Sequence, residues 1–364
     1  MAKVYTNLYP SLPTFENLYQ AYDNAARGKR GQPAVASFDF NVEDKLFKLQ
    51  EELQSKTYLP GPYYSFYIRD LKRRLISAAP FRDRVVHHAL CQIIEPIFER
   101  TFIPDSYANR IGKGTHAALD RAQALACRHP YVLQCDLKQF FPSVDHQLLR
   151  RIFTRKIADP DVIALCDHIL DSGKGILAHE YTMVYFPGDD PSTGSAQGPL
   201  AADRPRGLPI GNLTSQFWAN VYLNELDQFV RRQLCCAAYL RYVDDFLLFA
   251  DGKAQLWEWR EAIINFLAGL RLALHEPQST VYPVANGIPF LGFRLYPTHR
   301  RLKRPNGVAF ARRLRRCRKA MVRGEMTLND VQRRVQGWIT HVEHGDTWGL
   351  RRSLLESAIL PRRS

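Results

Sequence analysis

The sequence predicts an α+β fold, on three observations. Apolar residues recur at helical spacing over several stretches, most clearly near both ends of the chain. Short segments rich in aromatic and β-branched residues read as strands, and two pairs of them read as hairpins. A chain of 364 residues, 46% hydrophobic and 12% aromatic, is also long enough for two or three subdomains around a buried core.

In chain order, helical patterns cover about 15–25 and 42–54, separated by the basic turn Arg27-Gly28-Lys29-Arg30-Gly31. They read as an N-terminal extension leading into the body. From 63 to 76, aromatic and β-branched residues mix with Arg69, Lys72, Arg73 and Arg74, as in a basic β-hairpin. An amphipathic helix follows from Asp83 to about residue 100, with Val86, Leu90, Ile93, Ile94 and Ile97 as its apolar stripe. Residues 131–136 form a strand that ends on Asp136, and Asp145 then starts a helix carrying Leu148, Leu149 and Ile152. A Gly, Pro and Ser-rich stretch at 186–206 is a loop or insertion. Beyond it, 215–230 is helical, and 239–250 reads as two strands joined at a tight turn containing Val243-Asp244. Between Arg300 and Arg323 lie nine further cations, Arg301 to Lys319, with no acid until Glu325, which predicts a cationic helical arm. Val331, Trp338, Ile339 and Val342, then Leu350, Leu354 and Leu355, suggest two further helices closing a small bundle.

Fifty Lys and Arg against 36 Asp and Glu give a net charge of +14, the footprint of a protein that neutralises phosphates, although a membrane surface would also attract it. The seven scattered cysteines contain no C-x-x-C pair and indicate buried thiols rather than a disulfide framework or zinc ribbon. No signal-like start or long apolar span is present in the sequence, so a cytoplasmic location and no membrane partner are expected.

The chemistry concentrates in three acids. An Asp-Asp pair in a turn is a weak signal, because Asp favours turns for local hydrogen bonding. Here Asp244-Asp245 lie between the apolar strands Tyr239-Leu240 and Phe246-Leu247-Leu248-Phe249, where two carboxylates are costly unless a cation compensates. Asp136 ends another apolar strand. Hard Mg²⁺ needs few protein ligands and leaves its other positions to water and phosphate, so these acids suit two-metal phosphoryl transfer.

Tyr242-Val243-Asp244-Asp245 resembles the aromatic-x-Asp-Asp turn of reverse transcriptases. Asp136-Leu137-Lys138-Gln139-Phe140-Phe141 resembles that family's first catalytic segment. The run Gly207-Leu208-Pro209-Ile210-Gly211-Asn212-Leu213-Thr214-Ser215-Gln216 is similar to the segment beneath the nascent base pair, and Phe290-Leu291-Gly292-Phe293 to the primer grip. Arg74-Leu75-Ile76-Ser77 and Arg82-Asp83-Arg84-Val85-Val86 look like fingers segments, while Ser106-Tyr107-Ala108-Asn109-Arg110 and Lys113-Gly114-Thr115-His116 look like the template-contacting one. The resemblance implies a right-hand polymerase fold: an N-terminal extension at 1–30, fingers at 31–128, a palm with an antiparallel sheet at 129–297 interrupted by an insertion near 172–206, and a basic helical thumb at 298–364.

It also implies roles. Asp136, Asp244 and Asp245 are the catalytic acids and, with the Leu137 main chain, ligands of two Mg²⁺ ions, for which Mn²⁺ is a substitute. Lys72, Arg74, Lys138, Phe140, Phe141 and Gln216 would contact the deoxynucleoside triphosphate, Phe141 by blocking a ribose 2′-hydroxyl. Arg110, Lys113, Gly292, Arg312 and Arg316 would hold template RNA and primer or cDNA. Relatives carry a Lys after the catalytic hairpin, but His275-Glu276-Pro277-Gln278-Ser279-Thr280 has none, leaving His275 as the alternative proton donor.

Ile210-Gly211 and Ser215-Gln216 replace the Gln-Gly and Ser-Pro common in group II intron and retron enzymes. This variant, with Lys113-Gly114-Thr115-His116-Ala117, resembles the reverse transcriptases of bacterial and phage diversity-generating retroelements. Such enzymes copy adenines with errors and usually work with a small basic helical accessory protein. A group II intron-like or phage-defence enzyme of ordinary fidelity is the alternative. An RNA-dependent RNA polymerase would tend to have Gly in place of Val243 and a polar residue in place of Phe141.

Overall fold

The computed structural model describes residues 3–69, 73–187, 189 and 204–356. Three helices open the chain: α1 (Phe15–Ala26), α2 (Pro33–Asp39) and α3 (Val42–Gln54). Thr14 caps α1 by accepting from the Asn17 amide at 3.3 Å, and Leu18, Ala21, Tyr22 and Ala25 form its buried face. That face is the reason α1 is part of the main core rather than an extension preceding it. Its partner is α4 (Phe81–Glu99), to which Asn17 is tied by donating to the Ala89 carbonyl at 3.2 Å and accepting from Gln92 at 2.6 Å. The seven residues of α2 bury only Val35 and Phe38, too few to show a period in the sequence.

Before α4 comes the basic hairpin of β1 (Tyr64–Arg69) and β2 (Arg73–Ala78), in the register Tyr67↔Leu75. The buried Asp83 in the first turn of α4 accepts from the Tyr58 hydroxyl at 2.8 Å and the Gly61 amide at 2.7 Å, fixing the segment leading into the hairpin. The expected stripe of α4 is buried at Val86, Leu90, Ile94 and Ile97, with Ile93 at its margin.

After α5 (Thr115–Ala126) the central sheet begins with β3 (Tyr131–Asp136). Helices α6 (Phe140–Ser143), α7 (His146–Thr154) and α8 (Pro160–Ser172) follow, with Asp145 capping α7 through the Leu148 amide at 2.8 Å. The long helix α9 (Leu213–Arg232) precedes β4 (Tyr239–Tyr242) and β5 (Asp245–Ala250), and α10 (Lys253–Gly269) precedes β6 (Thr280–Pro283). The sheet has the order β4-β5-β3-β6 and is antiparallel throughout.

Period-two alternation divides this sheet between two cores. Leu133, Cys135, Phe246 and Leu248 face the larger core with α4 and α9, whereas Val132, Leu247 and Phe249 face a second core shared with α5. A three-stranded antiparallel sheet, β7 (Ile288–Phe290), β8 (Phe293–Leu295) and β9 (Arg300–Leu302), completes that second core.

The cationic arm is not helical from its start. Residues 300–302 pair with β8, and Arg300 donates to Asp120 at 2.7 Å and Gln123 at 2.9 Å on α5. The helix α11 (Arg304–Val322) begins only where Pro305 stands in its first turn, as Pro prefers. With α12 (Leu328–Val342) and α13 (Trp348–Glu356) it forms the small helical unit, centred on Phe310 stacked on Trp338 at 3.8 Å. All seven cysteines are thiols; Cys127 and Cys235 are exposed and the other five buried. No described helix is long and apolar enough to cross a membrane.

Candidate active site

Asp136 and Asp245 are cross-strand partners at the end of β3 and the start of β5. By strand alternation both lie on the face of the second core, so the two carboxylates share one side of the sheet edge. Asp244 sits next to them in the two-residue turn from β4, where Val243 takes a φ of +55°, a value that β-branched residues rarely adopt.

The turn is held from behind by a network the sequence reading missed. Arg241 is fully buried in β4 and donates to both oxygens of the equally buried Asp227 on α9, Nε to Oδ1 at 2.7 Å and Nη2 to Oδ2 at 2.6 Å. Its remaining donors reach the Val243 carbonyl at 3.0 Å, Asn220 at 3.2 Å and Ser106 at 3.1 Å, and the Tyr239 hydroxyl also donates to Asp227 at 2.7 Å. An Arg inside an otherwise apolar strand was the visible signal; its partner, 14 residues earlier, was not.

On the other flank, Leu137 bridges Leu274 through the Lys138 amide, which donates to the Ala273 carbonyl at 2.8 Å, and the His275 amide, which donates to the Asp136 carbonyl at 2.8 Å. The Lys138 amide is thereby committed to the fold, whereas the bridge does not engage the Leu137 carbonyl. His275 lies beside Asp136 through its main chain, and its Nδ1 is buried.

A cavity of about 440 Å³ opens beside the acids. Its walls bring together Asp244, Asp245, Phe140, Phe141 and Ile210 with Arg73, Arg74 and Glu180. Phe141 packs edge-on against the buried Phe140, ring centres 5.3 Å apart. Ile210 is held by its carbonyl, which accepts from the Ser77 amide at 2.8 Å. The neighbouring Gly211 has a φ of +122°, and a Cβ there would meet the Ile76 Cγ2 at 3.0 Å. Asn212 locks this loop to the hairpin, accepting from the Ala79 amide at 3.0 Å and donating to the Ser77 carbonyl at 2.9 Å.

The described residues hold no closed cage of three or more His, Cys, Asp or Glu side chains. The donor set present, two cross-strand carboxylates and a third in the adjoining turn, instead fits Mg²⁺ ions that keep waters and take phosphate oxygens.

Sequence comparison decides the family. The family described as "Reverse transcriptase (RNA-dependent DNA polymerase)" matches residues 69–295. The chain belongs to the reverse transcriptase family. It is 29% identical over 287 residues to Protein YkfC of Escherichia coli, covering 68% of this chain and 70% of that protein. It is 27% identical over 235 residues to the group II intron-encoded protein LtrA of Lactococcus lactis, covering 63% of this chain but 36% of LtrA. A solved structure of apo telomerase from Candida tropicalis, truncated from its C-terminal domain, aligns with a TM-score of 0.48 and 11% identity over 69% of this chain and 58% of that one.

The other expected contacts of this reverse transcriptase distribute unevenly. Arg110 is a correction: its side chain is 6% exposed, chelates Glu99 at 2.6–2.9 Å and donates to the Ile103 and Ser106 carbonyls. With its donors committed inside the fold it serves structure, not the template. Lys113 stands at the surface and donates to the Pro104 carbonyl at 2.8 Å. Gln216 is half-buried in the first turn of α9, away from the cavity walls. Gly292, in the β7–β8 turn with a φ of +88°, offers its carbonyl to the Lys303 amide and to Asn306, both at 3.0 Å, so this turn anchors the helical unit. Arg312 and Arg316 are exposed on α11. Lys72 lies outside the described residues, as do 188 and 190–203 of the expected insertion.

Proposed function

We propose that this reverse transcriptase makes cDNA on an RNA template at the Asp136, Asp244 and Asp245 site, with errors concentrated at template adenines, as in a diversity-generating retroelement. The observation that carries the polymerase reading is the cross-strand pairing of Asp136 with Asp245, beside a cavity that also holds Phe141 and two hairpin arginines. In this reading 31–128, 129–297 and 298–364 are fingers, palm and thumb.

Asp136 and Asp244, with the Leu137 carbonyl, would hold two Mg²⁺ ions, and Asp245 would ligate one ion or orient the other carboxylates. When bound, the ions lower the pKa of the primer 3′-hydroxyl and neutralise the departing pyrophosphate. Arg74 and, on the sequence resemblance alone, Lys72 meet the triphosphate charge. Phe141 lines the cavity where a 2′-hydroxyl would sit, which favours deoxynucleotides. Template RNA and primer lie along the exposed thumb cations, and a small basic accessory protein is a further partner.

Support for careless copying is the apolar Ile210 side chain in the cavity wall, where a Gln amide would add a polar contact near the templating pair. Similarity to a group II intron-encoded protein favours the second reading, an intron-like enzyme of ordinary fidelity. Extension of a DNA primer on an RNA template with Mg²⁺, with the products sequenced and Asp136→Asn as the inactive control, separates the two. Misincorporation at adenines that falls in Ile210→Gln supports the retroelement reading. An even error spectrum, unchanged by that substitution, favours the second.

A further inference from the structure

The cavity beside the acids contains one carboxylate that the two-metal chemistry does not use. Glu180 follows α8 in the loop running back toward the site and shares the cavity wall with Arg73 and Arg74. Among the described residues it is ion-paired with neither arginine. Its Oε1 instead accepts a hydrogen bond at 2.9 Å from the hydroxyl of Tyr67, 113 residues away on β1.

The other end of that tyrosine is equally engaged. The Arg73 guanidinium lies over the Tyr67 ring, 3.7 Å from its centre. The two are diagonal neighbours on one face of the hairpin, since Tyr67 pairs with Leu75 and Arg73 stands two residues before it. A planar guanidinium over a tyrosine ring gains both cation–π attraction and a fixed orientation.

The Glu180 loop is itself anchored to the catalytic segment. Gln139, three residues after Asp136 and at a φ of +46°, accepts from the Thr182 amide at 2.9 Å and donates to the Thr182 hydroxyl at 3.3 Å. Side-chain contacts from Gln139 to Thr182 and from Glu180 through Tyr67 to Arg73, joined by short stretches of main chain, therefore connect the strand end carrying Asp136 with Arg73.

We propose that Glu180 is a positioning residue for the incoming nucleotide: through Tyr67 it holds the Arg73 guanidinium at the cavity wall in register with the catalytic segment. Presenting a cation already oriented removes ordering cost when the triphosphate binds, so the relay acts on nucleotide affinity more than on the chemical step. This inference rests on the nucleotide-binding reading of the cavity given above.

Steady-state primer extension with varied deoxynucleoside triphosphate tests it in the full chain. Tyr67→Phe keeps the ring beneath Arg73 and removes the donor, Glu180→Ala removes the acceptor, and Glu180→Gln retains an oxygen that accepts from tyrosine. Tyr67→Phe and Glu180→Ala are expected to raise the nucleotide KM about three- to tenfold with kcat within about twofold, and the double variant no further than either single. Glu180→Gln is expected to return KM close to that of the parent. Tyr67 is exposed and Glu180 half-buried outside the core, so melting temperatures should stay unchanged, which separates a positioning effect from loss of fold. An unchanged or lowered KM in either single variant, additive effects in the double, or a Glu180→Gln enzyme as impaired as Glu180→Ala overturns the relay. A parent protein that extends no primer overturns the polymerase reading first and the relay with it.

Discussion

At the scale of single residues, the side chains of the site owe their meaning to what surrounds them. Phe141 is half-buried, braced edge-on by Phe140 and facing the cavity that Asp244 and Asp245 also line. Because Phe140 limits where the ring can go, a shortened side chain leaves space that the neighbour does not fill. Phe141→Ala is therefore expected to reduce discrimination against ribonucleoside triphosphates on the order of 10–100-fold. Competition between ribo- and deoxynucleotides in primer extension measures it, and retained discrimination would assign the gate elsewhere. Arg110 shows the opposite case. The same residue type that would touch a phosphate on the surface becomes a structural tie once carboxylate and carbonyl oxygens surround it.

At the scale of elements, the β4–β5 hairpin depends on a buried ion pair spanning strand and helix. Removing one partner leaves an uncompensated charge, so Asp227→Asn is expected to cost about 3–5 kcal/mol of stability. It should also lower kcat, because Arg241 supports the Val243 carbonyl in the strained turn. Urea unfolding alongside single-turnover extension checks both outcomes.

Helix α4 carries a second buried charge problem. Burial pushes His87 from its ordinary value of 6.5 down to about 3, and it pushes the adjacent His88 down to about 4, with nearby cations adding to both shifts. Both His87 ring nitrogens are buried without hydrogen-bond partners. A depressed histidine pKa means that the unfolded chain takes up protons which the folded chain refuses. Stability is then unaffected above about pH 6.5 and falls as the pH drops below it toward the folded values. Replacing His87 with Leu should make the urea midpoint depend less steeply on pH between 7 and about 4.5. An identical slope would place the proton uptake at other groups.

At the scale of the whole molecule, the sheet edge with the acids, the basic hairpin and the helical unit are joined through strands and loops distant in sequence. Arg312 and Arg316 stand exposed on α11, where each is expected to neutralise one phosphate of a bound duplex. Replacing either by Ala should weaken template–primer binding and reduce the slope of log affinity against log salt by about one. Fluorescence titration over a range of salt concentrations measures that slope, and an unchanged value would remove these cations from the interface.

The division between what was legible and what was not follows the range of the interactions. Strand ends, helix stripes and the acidic turn were readable because each depends on neighbours within a few residues: β3 ends on Asp136 and β4 meets β5 at Val243-Asp244, as expected. Family motifs also carried Phe141 and Ile210 to the cavity wall. By itself the sequence therefore determined the α+β class, the reverse transcriptase family and the segments that meet at the site. Only the tertiary structure decided that α1 belongs to the main core, that 300–302 is a strand, that Arg110 is consumed internally, and that Glu180 reaches Tyr67. Arg110 depends on Glu99, 11 residues away, and Glu180 on Tyr67, 113 residues away, while β9 and α1 depend on the elements they meet, β8 with α5 and α4 with the main core. Burial and pairing are properties of assembled surfaces, and a local pattern of residue types does not specify which surface arrives.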